Sequence, residues 1–152
     1  SRETRVIFEE AMWAHGAQDL PFKLLFGHAQ DALAAADAAL VASGTATLEA
    51  ALTKTPMVIT YRMSPWSWKL MRRMRYQPWV GLPNILARRF IVPEFLQDDA
   101  TAENLAQALG NLLEDRQVGE ALRGIYRQLH VALRQDTATR AADAVIASLT
   151  GS

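Results

Sequence analysis

The residues best suited to chemistry lie where an apolar run ends and an alanine-rich helical pattern begins. Ser43, Gly44 and Thr45 occupy this junction, and Glu49 follows roughly one turn later. Serine is a good N-cap, and glycine lets the backbone approach a ligand closely. Free N–H groups at a helix start attract phosphate, and a nearby carboxylate can accept sugar hydroxyls. The junction suits a nucleoside diphosphate, although an ordinary strand–turn–helix with Ser43 as its cap and a surface glutamate remains the alternative.

The same junction lacks the common nucleotide fingerprints. It contains neither the GKS/T sequence of a Walker P-loop nor the GxGxxG pattern of a dinucleotide fold. Phosphoryl-transferring ATPases and dinucleotide-dependent dehydrogenases are therefore disfavoured. The chain has no cysteine, and His15, His28 and His130 are far apart in the sequence. We therefore expect no metal site and no cofactor.

Alternating strands and helices must position the junction. Apolar runs predict strands over 22–26, 38–42, 57–61 and 79–82. Helical patterns cover 6–16, 29–36, 44–53 and a segment from Pro65, and after Pro93 only helices are predicted, over 102–114, 117–134 and 139–149. This alternation predicts an α/β fold with a parallel sheet, flanking helices and an all-helical tail.

Several polar residues directly follow predicted strands. Ligands of parallel sheets bind at the carboxyl ends of the strands, so we expect these positions to share one rim. They are Gly27, Ser43 with Gly44, Tyr61 with Arg62, and Pro83 with Asn84. His28 could contact a base or phosphate, or be a surface loop histidine. Asn84 could orient a sugar or phosphate, or simply close a turn.

Residues 65–76 combine tryptophan with arginine. On a helix of about 3.6 residues per turn, one arc is apolar and the opposite side is mostly basic. The apolar arc contains Trp66, Leu70, Met71 and Met74, and the basic side contains Lys69, Arg72, Arg73 and Arg75 with Trp68 among them. Such a helix suits a membrane interface, and a core-packed helix with a solvated basic face is the alternative.

Composition limits the remaining classes. The chain has 152 residues, 50% of them hydrophobic, which is enough for one domain with a core. With 16 basic and 16 acidic residues, the formal charge is +0 and nothing points to nucleic acid. No apolar run approaches the roughly 20 residues of a membrane span. The helical pattern already present at Val6 is a poor beginning for a domain, so we expect a fragment.

Several segments together resemble the lipid-A-disaccharide synthase family in residues, order and spacing. They are Ala42-Ser43-Gly44-Thr45-Ala46-Thr47-Leu48-Glu49, Pro56-Met57-Val58, Tyr61-Arg62-Met63 and Leu82-Pro83-Asn84-Ile85-Leu86, with a similar tail at Phe95-Leu96-Gln97 and Leu129-His130. The resemblance covers nearly the whole chain. It implies the carboxy-terminal half of a GT-B glycosyltransferase with a Rossmann-like sheet. That family joins UDP-2,3-diacylglucosamine to 2,3-diacylglucosamine 1-phosphate, forming a β-1,6-linked disaccharide and releasing UDP.

The resemblance also implies roles for individual residues. Gly44 and Thr45 would hold the UDP phosphates through helix amides, and Glu49 would bind the ribose. Asn84 matches a family site residue near the donor, and Arg62 and Met63 lie in a matching segment. The general base is expected in a missing amino-terminal half, so no catalytic residue is assigned to this chain. Residues 1–94 would form a partial UDP-sugar-binding domain lacking its first strands, and residues 95–152 would pack on it or on a partner domain.

The resemblance further implies a cytoplasmic enzyme bound peripherally to the inner membrane of a Gram-negative bacterium. Its partners would be the two lipid substrates, the membrane surface, the amino-terminal half and, as one option, a second copy in a homodimer. Two alternatives remain at this point. The chain could be a non-catalytic nucleotide-binding module, or it could come from another GT-B enzyme such as a UDP-GlcNAc epimerase or a MurG-like transferase.

Overall fold

The computed structural model describes residues 2–42, 44–74 and 78–150. Eight α-helices and three strands lie within these ranges. The helices are α1 (Arg2–Ala14), α2 (Ala29–Ala35), α3 (Thr45–Thr53), α4 (Pro65–Met74), α5 (Leu82–Ala87), α6 (Ala102–Glu114), α7 (Arg116–Leu133) and α8 (Thr137–Thr150). The strands are β1 (Ala39–Ala42), β2 (Met57–Tyr61) and β3 (Glu94–Leu96), and a 3-10 turn follows at Gln97–Asp99.

The strands form one parallel sheet in the order β1-β2-β3. Ala42 lies opposite Thr60, and Tyr61 lies opposite Leu96, so the carboxyl ends of the three strands meet at one rim. Helices α3 and α6 pack against β1 and β2. The predicted α/β class, the parallel sheet with flanking helices and the helical tail are therefore confirmed.

The strand predicted over 22–26 does not form. This segment is irregular and has no sheet partner, and the Phe22 ring contacts the Phe8 ring of α1 edge-on, with the ring centres 5.6 Å apart. The side chains of Leu25 and Phe26 are exposed. An apolar run indicates a tendency to be buried, but it does not specify the neighbouring backbone that a strand requires.

The strand predicted over 79–82 is also wrong, and the third strand lies at β3 instead. The backbone N–H groups of Val80 and Gly81 donate to the Glu94 carboxylate, both at 2.9 Å, so they are not available to a strand ladder. Leu82 then begins helix α5. The expectation of helices alone after Pro93 is also wrong, because β3 lies there. This strand was missed since it is three residues long and starts with a glutamate, which leaves almost no strand pattern to detect.

The core lies between β2 and the helices on its faces. Met57, Val58 and Ile59 of β2 are fully buried, and Ala50 of α3 and Tyr126 of α7 are buried with them. Burial raises the pKa of the Tyr126 phenol well above its usual range. Among the described residues the phenol oxygen has no hydrogen-bond partner. Helix α7 packs on α3 and α5, so the tail supports the helix that carries Gly44 at its start.

Candidate functional site

Helix α3 begins at Thr45, one residue later than predicted. Gly44 is the N-cap, whereas Ser43, the predicted cap, lies outside the described residues. Gly44 has φ 127° and ψ −159°, a backbone conformation that is essentially restricted to glycine. Gly44 and Thr45 are exposed, and among the described residues other than its chain neighbours, no atom lies within 4 Å of the place where a Cβ on Gly44 would stand. The start of α3 is therefore open to a ligand, and the glycine is required by the backbone conformation.

Thr47 anchors this first turn from inside the protein. Its side chain is fully buried, and its hydroxyl donates to the Gly44 carbonyl at 2.7 Å. The same oxygen accepts from the backbone N–H of Leu82 at 3.3 Å. No role for Thr47 is predicted from the sequence. A hydroxyl in the first turn of the helix was the only available signal, because its partner Leu82 is 35 residues away.

Glu49 and His28 share one cleft beside the start of α3. The cleft has a volume of about 310 Å³ and is lined by residues 27–31 together with Glu49. Glu49 is half-buried, and His28 is exposed, with its Nδ1 atom 3.3 Å from Asp31 Oδ2. The structure thus brings together two candidates that are 21 positions apart in the sequence. The cleft offers a carboxylate and an imidazole to a polar ligand.

Arg62 and Met63 follow β2 and lie beside the end of β3. The Gln97 side chain holds the Met63 backbone from both sides, accepting from its N–H at 2.8 Å and donating to its carbonyl at 3.1 Å. The exposed Arg62 guanidinium lies 4.0 Å from the Asp98 carboxylate. The sequence resemblance includes Gln97 without a role, and Asp98 was not predicted as a site residue. Gln97 orders the backbone at Met63, whereas Asp98 is fully exposed and its ion pair with Arg62 contributes little.

Asn84 lies in the first turn of α5 and does not follow a strand as predicted. Its side chain is 0% exposed. Nδ2 donates to the Val92 carbonyl at 2.8 Å and to Glu94 Oε1 at 2.7 Å. Oδ1 accepts from the N–H groups of Ile91 and Val92 at 2.8 and 2.9 Å. An amide side chain has two donor hydrogens and two acceptor positions, so all four positions are occupied by protein groups.

Helix α4 presents the apolar arc to solvent at Trp66 and Leu70, which are 83% and 61% exposed. A groove of about 430 Å³ is lined by Trp66, Ser67, Lys69, Leu70 and Arg73. Trp68 is half-buried. Arg75 lies outside the described residues, as do the side chains of Met71, Arg72 and Met74. The described part of this helix therefore has an uncovered apolar stripe beside two exposed cations.

A further cavity lies away from the rim. It has a volume of about 650 Å³, and Asp37 and Pro56, which precede β1 and β2, line it together with Arg116 and Arg123. It therefore opens at the amino ends of the strands, where parallel sheets do not usually bind ligands. Within the described ranges no group of His, Asp or Glu side chains is placed to hold a metal ion. The same ranges contain no helix long and apolar enough to cross a membrane.

Comparison with known proteins places the chain in a family. A family model described as Lipid-A-disaccharide synthetase matches residues 4–148. The lipid-A-disaccharide synthase of Dechloromonas aromatica (strain RCB) is 61% identical over 149 residues, which are 98% of this chain and 39% of that protein. The protein of that name from Aromatoleum aromaticum (strain DSM 19018 / LMG 30748 / EbN1) is 57% identical over 146 residues, 96% of this chain and 37% of the relative.

A third relative, the lipid-A-disaccharide synthase of Azoarcus sp. (strain BH72), is 55% identical over all 152 residues and 39% of its own length is covered. The chain thus spans 37–39% of the length of these relatives. The match over residues 4–148 includes every candidate site residue between His28 and Asn84. The chain belongs to the lipid-A-disaccharide synthetase family.

Proposed function

We propose that this chain supplies the nucleotide-binding site of an enzyme that joins UDP-2,3-diacylglucosamine to 2,3-diacylglucosamine 1-phosphate and releases UDP. The observation that carries the proposal is the open start of α3 at Gly44, next to a cleft that contains Glu49 and His28. The diphosphate would lie on the first-turn amides of α3. The ribose would lie one turn further along, where Glu49 can accept its hydroxyls.

This arrangement suits the departure of UDP. Negative charge develops on the diphosphate as the bond to the sugar breaks, and the positive end of the α3 dipole stabilises that charge. The exposed Arg62 at the same rim adds a positive charge. Ser43 and Thr45 belong to the proposed phosphate contact, and Met63 to the donor pocket. Asn84 is buried with all four hydrogen-bonding positions occupied, so we propose that it shapes this pocket from behind without contacting the donor. The general base is proposed to lie in another part of the enzyme, so this chain supplies binding and charge stabilisation without the base.

The first prediction tests the nucleotide site directly. We expect the folded chain to bind UDP, and to bind it more tightly than uridine, because only UDP reaches the amides at the start of α3. Calorimetry on a sample with helical circular dichroism measures both affinities. We expect no transfer between the two lipid substrates by this chain alone. A folded chain that does not bind UDP would contradict the nucleotide proposal. Transfer between the lipid substrates by this chain alone would contradict the proposal that the general base lies in another part of the enzyme.

We also propose a peripheral position on the cytoplasmic face of the inner membrane, with α4 as the contact. Trp66 and Leu70 would enter the interface, and Lys69 and Arg73 would face anionic headgroups, with Trp68, Arg72 and Arg75 of the same segment contributing. The exposed tryptophan beside exposed cations supports this proposal. The substrates carry acyl chains, so a membrane-bound enzyme would meet them where they lie.

The membrane proposal predicts that the cationic and the apolar side chains of α4 contribute separately to the affinity for anionic vesicles. Lys69→Gln and Arg73→Gln should each weaken binding to anionic vesicles by about 1 kcal/mol, and added salt should reduce that difference. Trp66→Ala should weaken binding with little dependence on salt, since its contribution is apolar burial. Vesicle co-sedimentation measures both effects, with Arg140→Gln on α8 as a control. If the wild-type chain does not bind anionic vesicles at low salt, the proposal is contradicted.

Helix α8 provides the surface for the remaining proposed partners. Val145, Ile146 and Leu149 form an apolar stripe on this helix, and all three are exposed. We propose that the amino-terminal half of the enzyme, or a second copy in a homodimer, covers this stripe. The division into a donor-binding part and carboxy-terminal helices remains part of the same proposal, but its boundary moves from 94/95 to after Leu96, because β3 pairs with β2 in the sheet.

A further inference from the structure

One carboxylate holds the start of helix α5. Glu94, the first residue of β3, accepts from the Val80 N–H through Oε2 at 2.9 Å. Its Oε1 accepts from the Gly81 N–H at 2.9 Å and from Asn84 Nδ2 at 2.7 Å. Hydrogen bonds to an ionised acceptor are stronger than neutral ones, and a negative charge at a helix N-terminus is favourable. Glu94 therefore holds, from a distant part of the chain, the two residues that lead into α5 and one side chain of its first turn.

The start of α5 is linked in turn to the start of α3. The Leu82 N–H, one residue after Gly81, donates to the Thr47 hydroxyl, and that hydroxyl donates to the Gly44 carbonyl. The backbone at Gly81 is tightly packed, since a Cβ on this residue would lie 2.3 Å from Ile59 Cδ1 and 3.0 Å from Glu94 Oε1. A shift of the 80–82 backbone would therefore move the Leu82 N–H that donates to the Thr47 hydroxyl.

We propose that Glu94 is a positioning residue for the nucleotide site. It fixes the backbone at 80–82, and through Leu82 and Thr47 it fixes the Gly44 carbonyl and the first turn of α3. The proposal rests on the proposed function, in which that turn binds the diphosphate. Glu94 acts through other residues, because each of its oxygens already accepts from Val80, Gly81 or Asn84. No role was assigned to this glutamate from the sequence.

Hydrogen exchange in the ligand-free chain tests the coupling without any nucleotide. Glu94→Gln replaces one acceptor oxygen by an NH₂ group that faces backbone N–H donors. We expect amide exchange at Leu82 and Thr47 to become at least about tenfold faster, while exchange at Val58 in the core of β2 is unchanged. Glu114→Gln on the exposed end of α6 is the matched control. Faster exchange at Val80 and Gly81 with unchanged Thr47 would overturn the proposal, since Glu94 would then only hold the residues that lead into α5.

Ligand binding supplies the second readout, followed by chemical-shift titration at a temperature where every variant is folded. We expect Glu94→Gln to weaken UDP binding about tenfold while the affinity for uridine stays within about twofold, because only the phosphates contact the displaced turn. Thr47→Val should behave in the same way, and Thr47→Ser, which keeps the hydroxyl, should restore the affinity for UDP.

The outcomes separate the two proposals. Equal UDP affinity in wild type and Glu94→Gln would overturn the positioning role. Equal weakening of UDP and uridine would also overturn it, because a general structural defect does not distinguish the two ligands. A wild-type chain that binds no UDP would contradict the proposed function, and the exchange rate at Thr47 would still decide whether Glu94 positions α3.

Discussion

Replacing Asn84 with alanine is expected to lower the free energy of unfolding by about 3 kcal/mol. The side chain makes four hydrogen bonds, to the backbone of Ile91 and Val92 and to Glu94. Alanine removes the acceptor of the Ile91 and Val92 N–H groups at a position that excludes water, whereas Glu94 keeps the Gly81 N–H as a partner. Each buried unsatisfied group costs about 1–3 kcal/mol. Urea unfolding followed by circular dichroism measures the change.

The matched control is Asn104→Ala on α6. Asn104 Nδ2 donates to the Asp99 carbonyl at 2.9 Å on an exposed surface, so water can replace that bond and a loss below about 1 kcal/mol is expected. Unchanged stability of Asn84→Ala would contradict the structural role. Unchanged stability together with lost UDP affinity would instead support Asn84 as the ligand-binding residue that the family resemblance implies.

Seven of the eight described helices and two of the three strands could be predicted because their signals are local, whereas α5 (Leu82–Ala87) lies where a strand and a turn were predicted. Pro65 marks the start of α4, and Thr101 caps α6 by accepting from the Asn104 N–H. The apolar segments of β1 and β2 are each followed by a clear turn signal. Residues 22–26 and 79–82 carry similar apolar runs, yet the sheet does not include them. Pairing depends on which backbone lies alongside, and that information is absent from a run of side chains.

The residues of the candidate site likewise differ in whether their signals in the sequence are local. Gly44 and Glu49 could be found because a helix start and a carboxylate one turn later are properties of adjacent residues. Glu94 and Gln97 could not, because their partners lie 10–14 and 34 residues away. Family membership, shown by the match over residues 4–148, decides against a UDP-GlcNAc epimerase and a MurG-like transferase. It does not by itself assign the donor contacts, which is why binding experiments on named residues are needed.

Glu49→Ala is expected to weaken UDP binding by about 1.5–3 kcal/mol, roughly tenfold to a hundredfold. In the proposed site the carboxylate accepts the ribose hydroxyls, and hydrogen bonds to a charged group have this magnitude. Glu49 is only half-buried at the edge of the cleft, so the melting temperature should change little. Calorimetry with UDP measures the affinity, and Glu114→Ala on α6 controls for removal of a negative charge elsewhere.

The ribose contact itself is tested with 2′-deoxy-UDP. If Glu49 binds the ribose hydroxyls, wild type should prefer UDP over the deoxy ligand, and Glu49→Ala should lose most of that preference. Glu49→Gln, which keeps an acceptor oxygen without the charge, should lie between them. If Glu49→Ala still prefers UDP over 2′-deoxy-UDP, a group other than Glu49 contacts the ribose hydroxyls. An unchanged UDP affinity with a lowered melting temperature would make Glu49 a structural residue of α3, because the carboxylate would then stabilise the helix without contacting the nucleotide.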